Sequence, residues 1–217
     1  MRLLIVNPNT SAGVTARIDA AAQAVAEPGD HLTTVSAASG PSLIVTQADA
    51  AAATRGVLQA IAAHPDPIDG VVLASFGDTG AAEVRQQYPE LQVMGIAEAA
   101  FAEVRRIGGP FSIVTFAPEV TFGLAEKVSE YGVADALIEI AAPDVALAHD
   151  PADVADAMLP VLRELSLKCA AGGAVSVVMG GGPLAGVAQK IAACCTAEMV
   201  DGTQAAVRLL RGRLAER

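Results

Sequence analysis

One strand-and-loop unit is written twice in this chain. Gly70-Val71-Val72-Leu73-Ala74 is a short apolar run that breaks at Ser75-Phe76-Gly77-Asp78-Thr79-Gly80. Later, Ala174-Val175-Ser176-Val177-Val178-Met179 breaks at Gly180-Gly181-Gly182-Pro183. The beginnings of the two halves also correspond, because Arg2-Leu3-Leu4-Ile5-Val6 runs into Asn7-Pro8-Asn9-Thr10 and Phe111-Ser112-Ile113-Val114-Thr115 into Phe116-Ala117-Pro118. A chain built this way is expected to form two similar α/β lobes that face one cleft, each contributing a loop of matched chemistry.

Short β-branched runs alternate with Ala-rich stretches of helical length throughout. Strands are predicted near 2–7, 31–36, 70–75, 92–96, 111–115, 135–140, 174–179 and 197–200. Helices are predicted near 11–26, 46–63, 79–88, 97–107, 119–131, 151–170, 184–193 and 202–214. Such βαβα alternation predicts parallel sheets covered by helices on both faces. Ile107-Gly108-Gly109-Pro110 interrupts the pattern at mid-chain and reads as the lobe junction. The expected division is residues 1–96 plus 200–217 in one lobe and 97–199 in the other.

Composition narrows the function classes. With 53% hydrophobic residues, mostly Ala, Val, Leu and Gly, the 217-residue chain has ample core material. Its formal net charge of -10 argues against nucleic acid and anionic membrane surfaces, which call for clustered Lys and Arg. An anionic small molecule is still compatible, since helix N-termini supply local positive potential. The N-terminal apolar run is too short for a signal peptide or a membrane span. Three cysteines, Cys169 and the adjacent Cys194 and Cys195, give no disulfide framework, and His31, His64 and His149 are scattered without metal-ligand spacing. A soluble, reducing, cytoplasmic setting without a metal site is expected, and all three cysteines read as buried structural residues.

In open α/β sheets, ligands bind beyond the carboxyl ends of strands, where loops lead into helix N-termini. The candidate segments are therefore Asn7 to Ser11, Ser75 to Gly80, Thr115 to Pro118 and Gly180 to Pro183. Asn9, Thr10 or Ser11 can cap the following helix, or the same N–H groups and the Asn9 amide can receive a ligand oxygen. Asp78 and Thr79 have the same two readings, and Gly77 and Gly80 permit unusual dihedrals. Ser75 has no evident histidine partner for nucleophilic work. The triple glycine lacks G-x-G-x-x-G spacing, so it reads as a close backbone approach to a ligand or oxyanion, or as a tight turn.

Asn7-Pro8-Asn9-Thr10-Ser11, Ala74-Ser75-Phe76-Gly77-Asp78-Thr79-Gly80, Gly95-Ile96-Ala97-Glu98-Ala99-Ala100, Phe111 to Thr115 and Val200-Asp201-Gly202 together resemble the aspartate/glutamate/hydantoin racemase superfamily. Within it, the hydantoin and allantoin racemase branch is the nearest in pattern. The resemblance covers essentially the whole chain in order. It implies two Rossmann-like lobes related by a pseudo-two-fold axis, with substrate between them. It also implies cofactor-independent chemistry in which one cysteine thiolate removes a Cα proton and a second thiol returns one on the opposite face. The family's first cysteine precedes Phe-Gly-Asp and its second lies in the loop after the late strand. Those positions hold Ser75 and Gly181 in this chain.

Neither residue can do what a thiol does. A serine hydroxyl is a far weaker acid, and glycine has no side chain. The expected site comprises Ser75 and Gly181 at the two catalytic positions, with Asn9, Thr10, Phe76, Gly77, Asp78, Thr115, Gly180 and Gly182 binding substrate. Three functions fit: an isomerase at the Cα of a small carboxylate or hydantoin with altered acid/base chemistry, in which Asp78 or a water handles the proton; a decarboxylase or cis-trans isomerase of a small dicarboxylate; or a non-catalytic binding descendant. A laboratory Cys-to-Ser change at 75 is a further explanation, which Gly181 makes a poor fit. The resemblance also implies a homo-oligomer, while composition reveals no interface.

Overall fold

The computed structural model describes residues 1–144 and 150–216, so His149 lies outside the described residues. Among them, two four-stranded sheets form, both entirely parallel. The first has the order β2-β1-β3-β4, from β1 (Arg2–Asn7), β2 (His31–Ser36), β3 (Gly70–Leu73) and β4 (Gln92–Gly95). The second repeats that order as β6-β5-β7-β8, from β5 (Phe111–Val114), β6 (Leu137–Ala141), β7 (Ser176–Met179) and β8 (Glu198–Asp201). The central strands β3, β5 and β7 are buried along their whole length, as expected where helices cover both faces.

Helix starts are written locally. Ser11 accepts from Val14 N at the start of α1 (Ala12–Gln23), and Thr46 and Asp49 form a reciprocal capping box at the start of α2 (Gln47–Ala63). The helices α3 (Ala81–Gln87), α4 (Ile96–Ile107) and α5 (Thr121–Glu130) follow in order. The stretch expected as one helix over 151–170 is two, α6 (Val154–Ala157) and α7 (Leu159–Ala171). Pro160 explains the break, because it lacks the N–H that a continuous helix needs and fits only the first turn of a new one. The stretch expected over 184–193 shortens to a 3-10 turn (Gly182–Leu184) and α8 (Val187–Ala192), and α9 (Gly202–Ala215) closes the chain.

The lobes share a core. Leu3, Ile5, Ile18 and Val72 of the first sheet's side form one buried cluster with Phe111, Ile113, Val178 and Val200 of the second, joined through Phe101 on α4 and Val207 and Leu210 on α9. Separate clusters fill the outer face of each sheet, with Val57 and Val84 in the first and Leu162 and Ile191 in the second. Helix α4 packs along α9, and α9 also packs on α1, β3 and β4, whereas β8 is hydrogen-bonded into the second sheet. Fully buried Phe101 meets Phe76, Phe111 and Tyr131 with ring centroids 5.6, 6.0 and 5.6 Å away. Truncating such a residue typically costs about 3–5 kcal/mol.

Candidate active site

The carboxyl ends of β1, β3, β5 and β7 open on one cleft of about 930 Å³. Its floor is made by the loops after β3 and β7, which approach so closely that a β-carbon at Gly182 would stand 2.5 Å from the Ala74 carbonyl oxygen. Only glycine fits there.

The loop Ser75 to Gly80 is closed on itself. Asp78 N donates to Ser75 O at 3.0 Å, and Ala81 N to Asp78 O at 3.0 Å. The Ser75 hydroxyl donates to Thr79 Oγ1 at 2.9 Å and accepts from Thr79 N at 3.2 Å. Two hydroxyl protons serve one internal bond, so the Ser75/Thr79 pair keeps one O–H donor for a ligand. Among the described residues no histidine or lysine is hydrogen-bonded to Ser75, so none of them activates it as a nucleophile.

Asp78 is buried and lines the cleft, with a left-handed φ of 47°. Its carboxylate accepts from Ala97 N at 2.9 Å, Glu98 N at 3.1 Å and the Tyr131 hydroxyl at 2.6 Å. Burial pushes its carboxyl up to about 6, against the opposing pull of Tyr131, the α4 amides and Lys127. The same burial, with the neighbouring carboxylate, pushes the Tyr131 phenol well up, so it stays a proton donor.

Opposite lies the glycine loop. Gly181 has φ 154°, and a β-carbon there would stand 2.8 Å from Cε1 of Phe116. Thr115 is fully buried, and its hydroxyl is spent on Gly180 O at 2.7 Å. Asn9 is buried with its Oδ1 accepting from Asn7 Nδ2 and Ser11 N, both at 2.9 Å, so Nδ2 is the part it offers the cleft.

Asn9, Ser75, Phe76, Gly77, Asp78, Gly180, Gly181 and Gly182 therefore share one cleft lining. Thr10 and Thr115 are not among the lining residues: Thr10 is bonded to Pro41 O through its backbone N–H at 3.0 Å, and Thr115 braces the glycine loop from below. Sequence reasoning did not single out Tyr131, Lys127 or the apolar Leu43-Ile44-Val45 segment, all of which line the cleft. Tyr131 is one of two tyrosines in the chain, and an isolated aromatic with a polar tip at a helix end is the signal that was available. The cysteines stand elsewhere: Cys169 is buried, but Cys194 is exposed and Cys195 half-buried, contrary to expectation, because α8 ends at Ala192 and both follow on a surface turn.

Acids outnumber bases in the lining. Asp78, Glu83, Glu119, Glu126 and Glu130 face Arg85 and Lys127, which pair with Glu98 at 2.5 Å and Glu130 at 2.8 Å. No cluster of three or more His, Cys, Asp or Glu among the described residues is placed to hold a metal ion, and no described helix is long and apolar enough to cross a membrane.

Two parallel sheets with the same strand order, sharing a core and opening on one cleft at their carboxyl ends, define a two-lobed α/β protein with a cleft between the lobes. The chain belongs to the Asp/Glu/hydantoin racemase family, which it matches over residues 3–210, and that family is one of enzymes. It is 29% identical to a hydantoin racemase of Paenarthrobacter aurescens, over 99% of this chain and 92% of that one. Its fold superposes on the allantoin racemase from Klebsiella pneumoniae with a TM-score of 0.90 and 32% identity, covering 100% of this chain and 88% of that one. At 15% identity the maleate isomerase Iso from Pseudomonas putida S16 shares the fold, with a TM-score of 0.72 and coverage of 99% and 93%.

Proposed function

We propose that this protein is an isomerase acting at the Cα of a neutral hydantoin-type or ureide ring, with acid/base chemistry that differs from a two-thiol exchange. The observation that carries the reading is the polarity of the cleft. Its floor offers the Ser75/Thr79 hydroxyl, the Asn9 amide and glycine-loop backbone, while both lining cations are already paired with carboxylates. Such a lining suits uncharged N–H and C=O groups and repels a dicarboxylate, since burying a second anion beside Asp78 brings no compensating charge. The hydantoin and allantoin racemases that this chain resembles act on substrates of that uncharged class by their names.

Donors aimed at the ring carbonyl stabilise the enolate that forms when the Cα proton leaves. With Ser75 and Gly181 at the two loop positions, a water in the cleft accepts the proton and returns one. Asp78 is already held by three donors and serves as a support. The chemistry calls for no cofactor. Free cysteines fit a reducing, cytoplasmic setting, and family resemblance supports a homo-oligomer that light scattering can check.

The test is proton NMR in D2O with hydantoin, 5-substituted hydantoins and allantoin, alongside aspartate and substituted malonates. Enzyme-dependent loss of the ring Cα–H signal is expected from the first group only. Turnover of the dicarboxylates alone overturns the reading. Binding of a hydantoin without exchange points to the second reading, a non-catalytic descendant, which the glycine-only backbone at 181 favours.

A further inference from the structure

Tyr131 stands at the carboxyl end of α5, on the second sheet's side, yet its hydroxyl reaches a residue of the first lobe's cleft loop. Its ring is seated against Phe101, which also meets Phe76 of that loop. The bond it makes to Asp78 is 2.6 Å, short for a phenol on a carboxylate and typical of a charge-assisted contact. Asp78 sits between Ser75 and Thr79 and is bonded to the loop through both its N–H and its carbonyl. Its left-handed φ of 47° is a conformation that a non-glycine residue keeps only when its surroundings hold it.

We propose that Tyr131 is the positioning residue of the cleft: from the second lobe it holds the Asp78 carboxylate of the first, and so places the Ser75/Thr79 hydroxyls against the ligand only while the lobes are together. The proposal rests on the reading of this cleft as the ligand site. Two backbone amides of α4 also hold Asp78, and Tyr131 is the one side chain hydrogen-bonded to its carboxylate among the described residues. Loss of the phenol leaves the strained loop's carboxylate held by the two backbone amides alone. Around this bond lie Lys127, 5.9 Å from the Tyr131 ring centroid, Glu130 on the same helix, and Glu98 on α4, itself paired with Arg85 of α3 and Arg213 of α9. None of these substitutes for the phenol, because the cation acts on Asp78 only through space.

The experiment compares the full-length protein with Tyr131→Phe, Asp78→Asn and the double variant. Phenylalanine keeps the ring on Phe101, so folding is retained, and circular dichroism verifies it. In ligand-free protein, hydrogen–deuterium exchange of residues 75–80 is expected to quicken by about tenfold in Tyr131→Phe, the scale of one lost charge-assisted hydrogen bond. Hydantoin binding by calorimetry is expected to weaken by about the same factor. Its pH midpoint, set by Asp78, moves upward when the phenol is removed, which a merely structural loss would not produce. The double variant is expected to bind no worse than Asp78→Asn alone. Unchanged loop exchange, an unmoved midpoint or additive losses overturn the proposal. If the parent binds no hydantoin, the ligand reading fails, and the exchange of residues 75–80 alone decides the role of Tyr131.

Discussion

Asp78 and Gly95 share one volume: a β-carbon built on Gly95 would fall on the Asp78 carboxylate. Helix α4 begins at Gly95 with no cap side chain of its own, and Asp78, coming from the neighbouring loop, supplies the cap through Ala97 N and Glu98 N. After the second sheet the corresponding helix, α9, begins at Asp201, which caps Thr203 N and Gln204 N itself and reaches back to Gly186 N, at 2.6 Å, beyond β7. The same link between neighbouring strand ends is drawn from opposite partners in the two lobes. The carboxylate that faces the cleft is therefore the one that depends on a missing side chain elsewhere.

Gly95→Ala should accordingly be among the more damaging small substitutions. The added methyl expels Asp78 and leaves two helix amides uncapped, a loss on the order of 2–4 kcal/mol. Gly212→Ala is the control, since a β-carbon there meets nothing within 4 Å, and alanine in a helix interior stabilises by about 0.5–1 kcal/mol. Thermal unfolding of the two variants should move in opposite directions. Equal and small shifts would mean that Asp78 can relocate freely.

Asp78 also gives stability a pH signature. Its carboxyl rises from 3.8 to about 6 on folding, so the native state holds the proton more tightly than the unfolded chain. The associated stability is complete below about 4 and is lost as pH climbs to about 6, to the extent of about 3 kcal/mol. Asp69, bonded by Arg2, and Asp156, bonded by Arg17 and then Lys190, are held below the ordinary value and give the opposite slope. The quantity to measure is therefore the difference between Asp78→Asn and the parent in urea unfolding. It should grow in the variant's favour between pH 4 and pH 7, and a flat difference would refute the burial argument.

Much of the fold was legible because it is local. All eight strands fall where β-branched runs predict them, and Ser11, one of three cap candidates, announces its helix. The cleft loops were legible for the same reason, since each follows a strand directly. What sequence could not convey was which side chains are consumed by the scaffold. Thr115 reads like a ligand donor until its hydroxyl is seen bonded to Gly180 O, 65 residues away. Tyr131 was invisible because its partner, Asp78, is 53 residues away and in the other lobe. The break at Pro160 was present in the sequence but outweighed by the apolar pattern around it.

The thiols should report on this arrangement. Cys194 is exposed, whereas Cys169 is buried and its thiol is pushed up to about 11, first by burial and then by Glu139. Ellman's reagent should modify Cys194 promptly in the folded protein and Cys169 only after denaturation. Cys194→Ser should leave hydantoin binding unchanged, while Ser75→Ala weakens it several-fold through loss of the hydroxyl pair, about 1 kcal/mol. A cysteine-dependent ligand would place the site elsewhere.

Gly181 limits how far a paired-thiol cleft could be rebuilt. Ser75→Cys exchanges one small side chain for another at a half-buried position and should change stability by under about 1 kcal/mol. Gly181→Cys meets two obstacles, a φ of 154° and the Phe116 ring 2.8 Å from the new β-carbon, so a loss of about 2–3 kcal/mol is expected. Phe116→Leu removes the steric part and leaves the conformational part, so it should recover some of that loss and not all. Unfolding of the single, double and triple variants separates the two contributions. If Gly181→Cys alone proves neutral, the loop can move away from Phe116 without cost, and the glycine would then mark an absent catalytic group and not a backbone rebuilt around its absence.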